Sequence, residues 1–70
     1  MFTTLGKLRA ERIQSGQWME IAGVKCRIIR LWKNEDLTVS MYLAYYDDTL
    51  NHTIELKVYG IQEFEVFESK

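Results

Sequence analysis

The run Leu37 to Tyr46 (LTVSMYLAYY) alternates side chain by side chain. Leu37, Val39, Met41, Leu43 and Tyr45 fall on one side, and Thr38, Ser40, Tyr42, Ala44 and Tyr46 on the other. Successive side chains of an extended strand point to opposite faces, so this spacing predicts a strand with one buried face. A lone strand leaves its backbone N–H and C=O groups unpaired, which commits the chain to a sheet.

Other segments carry the same signal. Gln17 to Ala22 (QWMEIA) reads as a short strand, and Gly23 allows a tight turn or bulge into Val24 to Lys33 (VKCRIIRLWK), which is rich in β-branched and aromatic residues. The alternation slips at Ile28-Ile29, as a bulge would produce. Asn34-Glu35-Asp36 reads as a turn. Asp47 to His52 (DDTLNH) reads as a hairpin loop leading into Thr53 to Tyr59, where Ile54, Leu56 and Val58 point one way. Gly60 breaks that run, and Phe64 to Glu68 supplies a last short strand.

The first residues suggest a different element. Thr3 and Thr4 stand before Leu5, and Gly16 follows Gln14 and Ser15, which is how a hydroxyl cap and a left-handed glycine frame a helix over about 4–15. At steps of about 100°, Phe2, Leu5, Leu8 and Ile13 fall in one arc together with Arg9 and Arg12. So short a helix does not persist alone in water and must dock. Arg9 and Arg12 then either lay their aliphatic stems along apolar surface or meet an acidic partner.

The expected fold is therefore α+β and mainly β, with a short N-terminal helix followed by about five antiparallel strands in a single domain over residues 1–70. In outline this resembles the SH3-like small barrels, with a strongly bent open meander as the alternative. Seventy residues bury only a thin core. One cysteine, Cys26, permits no internal disulfide, so stability comes from packing or from assembly.

The formal net charge of -1 conceals a division along the chain. Residues 1–33 hold seven Lys and Arg against two Glu, while residues 34–70 hold two Lys against eight Asp and Glu. Such polarity suits a basic surface for nucleic acid or an acidic partner, or contact between unlike ends of two copies. Folding that interleaves the halves would cancel it. The longest stretch free of charge and His, Leu37 to Tyr46, is half the roughly 20 residues of a membrane-spanning helix. Lys7, Arg9 and Arg12 are interleaved with apolar residues, unlike a signal peptide, so the expected compartment is the cytoplasm.

Reactive chemistry is sparse. Cys26 shares a strand face with Val24 and Ile28, the position of an inert packing thiol, and His52 sits in the expected loop, so a Cys-His dyad is not indicated. Asp47, Asp48, Asn51 and His52 offer oxygen and nitrogen donors, but without the alternation and closing Glu of a calcium loop. Glu63 and Glu65 share a strand face as solvated carboxylates. No glycines form a phosphate-cradling loop. No catalytic residue, metal or cofactor is expected, and the chain reads as non-enzymatic.

Aromatic residues are plentiful instead. Trp18, Trp32, Tyr42, Tyr45, Tyr46, Tyr59, Phe64 and Phe67 exceed what one side of a small sheet can bury. Exposed Tyr and Trp are common anchors of protein interfaces. The leading expectation is a protein-interaction module, an inhibitor, adaptor or regulator of the kind many phage accessory proteins are, binding through Tyr42, Tyr46, Tyr59, Trp32, Arg9 and Arg12. A homo-oligomer would cover sheet edges and enlarge the core. The alternative is nucleic-acid binding along Lys25, Arg27, Arg30 and Lys33, with Trp32 stacking on a base. An overall pI near 5.7 and the acidic second half weigh against it.

Overall fold

The computed structural model describes residues 1–46 and 51–69, with Tyr46 and Asn51 described by backbone alone. Its strands are β1 (Phe2–Arg9), β2 (Trp18–Ile21), β3 (Val24–Lys33), β4 (Thr38–Tyr46), β5 (Asn51–Tyr59) and β6 (Glu63–Ser69). They form one antiparallel sheet in the order β1-β6-β2-β3-β4-β5. A 3-10 turn, Ala10–Arg12, separates β1 from β2.

The N-terminal helix expected over about 4–15 is not there: the first half of that segment is β1, and its only helical turn is Ala10–Arg12. Thr3, Thr4 and Gly6 are poor helix formers, and pairing with β6 from Phe2↔Ser69 to Arg9↔Glu63 satisfies the backbone that a short helix would leave marginal. The misleading periodicity has a physical source. A register shift between Thr4 and Gly6 places an extra residue, Leu5, in the strand. Such a bulge changes which face later residues occupy, so apolar residues three apart imitate a helical stripe. Gly6 supports the bulge with a φ of +88°.

The closed-barrel expectation is also corrected. There are six strands instead of about five, and the terminal strands β1 and β5 do not pair, so the sheet stays open. It folds over a core of Met19, Cys26, Ile28, Val39, Met41, Leu43 and Val66, all buried. Ala10, which opens the 3-10 turn, and Ile13, which follows it, are buried in the same cluster and plug one end. β5 contributes only half-buried Ile54, Leu56 and Val58.

Gly60 joins three loops at that plugged end. Its N–H donates to the Leu37 carbonyl at 2.9 Å, and its own carbonyl accepts from the Glu11 N–H at 3.0 Å. A Cβ there would stand 3.2 Å from the Leu37 carbonyl oxygen, so any larger residue would push the β3–β4 turn back by a few tenths of an ångström.

That turn overturns a third expectation. Leu37 does not continue the buried face of β4; it is 83% exposed and has a φ of 68°. The Asp36 carboxylate accepts from the Thr38 backbone N–H at 3.2 Å and from the Thr38 hydroxyl. Asn34 Nδ2 donates to Thr38 Oγ1 at 3.0 Å and Ser40 Oγ at 2.8 Å. These bonds fix a four-residue connection, Asn34 to Leu37, whose last residue takes the left-handed conformation. The Thr38 hydroxyl and N–H, followed by Lys57, hold the Asp36 carboxyl below its ordinary value.

Candidate interaction surface

The sheet has an inner face, which carries the core, and an outer face, on which several large side chains lie. Arg27↔Ala44 and Ile28↔Leu43 are in register before the bulge in β3, and Arg30↔Tyr42 and Trp32↔Ser40 after it. Because the bulge absorbs Ile29, both Arg27 and Arg30 end on the outer face. Tyr42 continues across to Glu55, and Ser40 to Lys57, on β5. Tyr59, two residues further along the same face, pairs with Thr38.

The outer face of β3, β4 and β5 therefore carries Arg30, Trp32, Tyr42, Lys57 and Tyr59. The Arg30 guanidinium carbon lies 5.9 Å from the Trp32 ring centroid, a cation–π arrangement that keeps both groups at the surface. Trp32 is 46% exposed, and Tyr59 68%. Leu37 and Ile61, the latter 69% exposed, border the same end beside Tyr59. An apolar cleft of about 330 Å³ opens there, lined by Leu37, Val39, Tyr59 and Ile61 with Glu11 and Lys33.

Not every expected contact residue joins this patch. Arg9 lies on β1, three strands away from β3, opposite Glu63, with an ion pair to Glu11 at 3.7 Å. Arg12 is exposed in the 3-10 turn. The Tyr46 side chain lies outside the described atoms. The structure thus gathers Trp32, Tyr42 and Tyr59 and separates Arg9 and Arg12 from them.

The basic strand is divided as well. Lys25 Nζ stands 4.7 Å from the Phe67 ring centroid and 5.5 Å from that of Phe2, and it pairs with Glu20 at 3.8 Å. Lys33 lines the cleft beside Glu11 at the far end of β3. Arg27 and Arg30 remain as exposed cations without an ion pair among the described residues.

A second aromatic group escaped sequence reasoning. Phe2, at the start of β1, meets Trp18 edge-on at 5.0 Å and Phe67 at 6.2 Å. The helical reading of residues 4–15 hid it by assigning Phe2 to a docking stripe. Alternation did place Trp18 opposite Met19 and Phe67 opposite Val66 on their strands, both core residues, and that was the available signal.

Groups with reactive potential are held apart from this surface. Cys26 is buried with its thiol donating to the Val24 carbonyl at 3.7 Å, and burial pushes the thiol pKa up, away from the nucleophilic thiolate. His52 lies in β5, not in a loop, and stacks on Tyr45 with ring centroids 4.8 Å apart. Asp47 and Asp48 lie outside the described residues. Among the described residues no group of three or more His, Cys, Asp and Glu side chains is placed to hold a metal ion. No helix among them is long and apolar enough to cross a membrane.

Fold and surface together define a small, open, antiparallel β domain with an aromatic and cationic outer patch. No protein-family model, no curated protein and no solved structure matches the chain.

Proposed function

We propose that the chain is a non-catalytic module of the cytoplasm that binds another protein through the outer patch of β3, β4 and β5, with Trp32, Tyr42 and Tyr59 as anchors and Arg30 addressing acidic groups. One observation carries this reading. Leu37, Tyr59 and Ile61 leave most of their surface in water side by side, and Leu37 does so from a backbone conformation that glycine would adopt without strain. An adjoining group of exposed apolar side chains marks an interaction site more readily than scattered ones do. Retention of a costly conformation beneath such a group is the pattern seen where function opposes stability. A lone, buried, unpaired thiol accords with a reducing compartment.

The test is capture on the immobilised protein from a lysate of its source, compared with the Trp32→Ser/Tyr59→Ser variant. A protein held by the parent chain and released by the variant, at an unchanged thermal midpoint, is the expected outcome. Retention by both, or by neither, refutes the patch as the binding site.

Arg27 and Arg30, both on the outer face and without an ion pair among the described residues, with Arg30 beside Trp32, favour a second reading in which the same face binds single-stranded nucleic acid. That reading requires salt-dependent quenching of tryptophan fluorescence by a short oligonucleotide, abolished by Arg27→Ala/Arg30→Ala.

A further inference from the structure

Among the described residues, no strand pairs with the outer edge of β5. β5 pairs with β4 residue for residue, from Thr38↔Tyr59 to Tyr46↔Asn51, with no register shift, and it ends the sheet. β1, the strand at the other end, is interrupted by its bulge at Leu5. An unpaired and unbulged edge presents a row of N–H and C=O groups that template another strand. Half-buried Ile54, Leu56 and Val58 would lose further apolar surface to water if the edge were covered.

We propose that β5 pairs antiparallel with β5 of a second copy about a two-fold axis through Leu56, joining two sheets into one. The strand is self-complementary about that point. Leu56 meets its own counterpart, and Ile54 meets Val58 of the second copy on the inner face. On the outer face Glu55 meets Lys57 of the second copy, and symmetry repeats the pair. Directly opposed unlike charges stabilise an antiparallel pair, and like charges oppose it.

The ionic state of these residues fits the arrangement. Glu55 is exposed and has no ion-pair partner among the described residues. Lys57 reaches Asp36 at 3.4 Å, with both side chains mostly in solvent, an ion pair of little strength that a second carboxylate can share. A lysine on a free edge ordinarily discourages association. Here it discourages strands that lack a carboxylate opposite it and accepts the one register in which its own sequence supplies one. β1 has no such symmetry: antiparallel pairing of two β1 strands about Leu8 sets Lys7 against Arg9. Pairing of β1 with β5 of another copy is head-to-tail, so it generates open chains of subunits unless the rotation closes.

Sedimentation and light scattering from about 10 µM to about 1 mM test this, since a single strand pair gives modest affinity. The expected mass rises from one chain to two and stops there. Glu55→Lys, which opposes two lysines twice over, weakens dimerisation roughly tenfold or more. Glu55→Lys/Lys57→Glu restores it by reversing both pairs. Both positions are exposed, so each variant should fold, which circular dichroism checks. Concentration-dependent amide shifts fall on β5. A one-chain mass throughout the range, growth beyond two chains, indifference to Glu55→Lys, or shifts confined to Trp32 and Tyr42 or to β1 would overturn the proposal. Loss of partner capture by Trp32→Ser alone is a separate result, because Trp32 stands on β3, two strands from the edge that β5 would pair.

Discussion

Ala22 holds a φ of 51° and Gly23 a φ of 81° between the paired residues Ile21 and Val24. Two successive positive φ values describe the tight hairpin turn in which Asn-Gly is the preferred pair. Alanine in that first position carries a steric cost that asparagine largely escapes. Ala22→Asn should therefore raise stability by about 0.5–1 kcal/mol, read as a shift in the denaturant midpoint at constant slope. A lower midpoint would show that the turn is set by something other than this backbone preference. Leu37, at a φ of 68°, stands in the same conformation for a different reason. It is fully dispensable to the core, so Leu37→Gly should stabilise the chain while weakening partner capture, the opposition of stability and function that its exposure suggests.

At the scale of elements, β1 is the least secured part of the sheet. It pairs only with β6, it bends at its bulge, and its half-buried Leu8 is what it packs against the core. Gly6→Ala meets no atom within 4 Å, so its effect isolates the backbone. At a φ of +88° that substitution should cost about 1 kcal/mol, and amide exchange should quicken across Thr3–Leu8 before it quickens at Ile28 or Leu43. Uniform acceleration would mean that β1 unfolds only with the whole sheet. The same strand marks where sequence reasoning ended. Val39, Met41 and Leu43 were legible because an unbroken period of two leaves a single reading, and the slip at Ile28-Ile29 showed itself because the strand was long on both sides of it. In β1 the bulge falls near the middle of eight residues, leaving runs too short to display alternation. Tyr42 and Tyr59 were legible as standing opposite the apolar faces of their strands from parity, whereas Trp32 turns outward only because the bulge at Ile29 shifts the parity of β3. Their proximity depends on the order of strands, and the exposure of Leu37 depends on a turn conformation; neither is carried by local pattern.

For the molecule as a whole, the arrangement of the core makes Cys26 a reporter of how the sheet opens. The buried cluster comes from β2, β3, β4, β6 and the segment around the 3-10 turn, whereas β5 only leans on it through half-buried side chains. At the end away from Ala10 and Ile13, a cleft of about 220 Å³ is lined by Ile21, Val24, Cys26, Tyr45 and Ile54. Ile54 belongs to β5, so displacement of that strand alone enlarges the cleft and bares the thiol, with the remaining five strands still paired. A disulfide reagent should therefore modify Cys26 through a partial opening. The free energy of that opening should fall with denaturant along a slope clearly shallower than that of global unfolding, since the slope follows the surface exposed. Coincident slopes would mean that β5 leaves only when everything does. If β5 also pairs between copies, modification should slow as protein concentration rises, because association holds closed the strand whose movement admits the reagent. Glu55→Lys should abolish that concentration dependence while preserving the shallow slope, which separates the motion of the edge from its assembly.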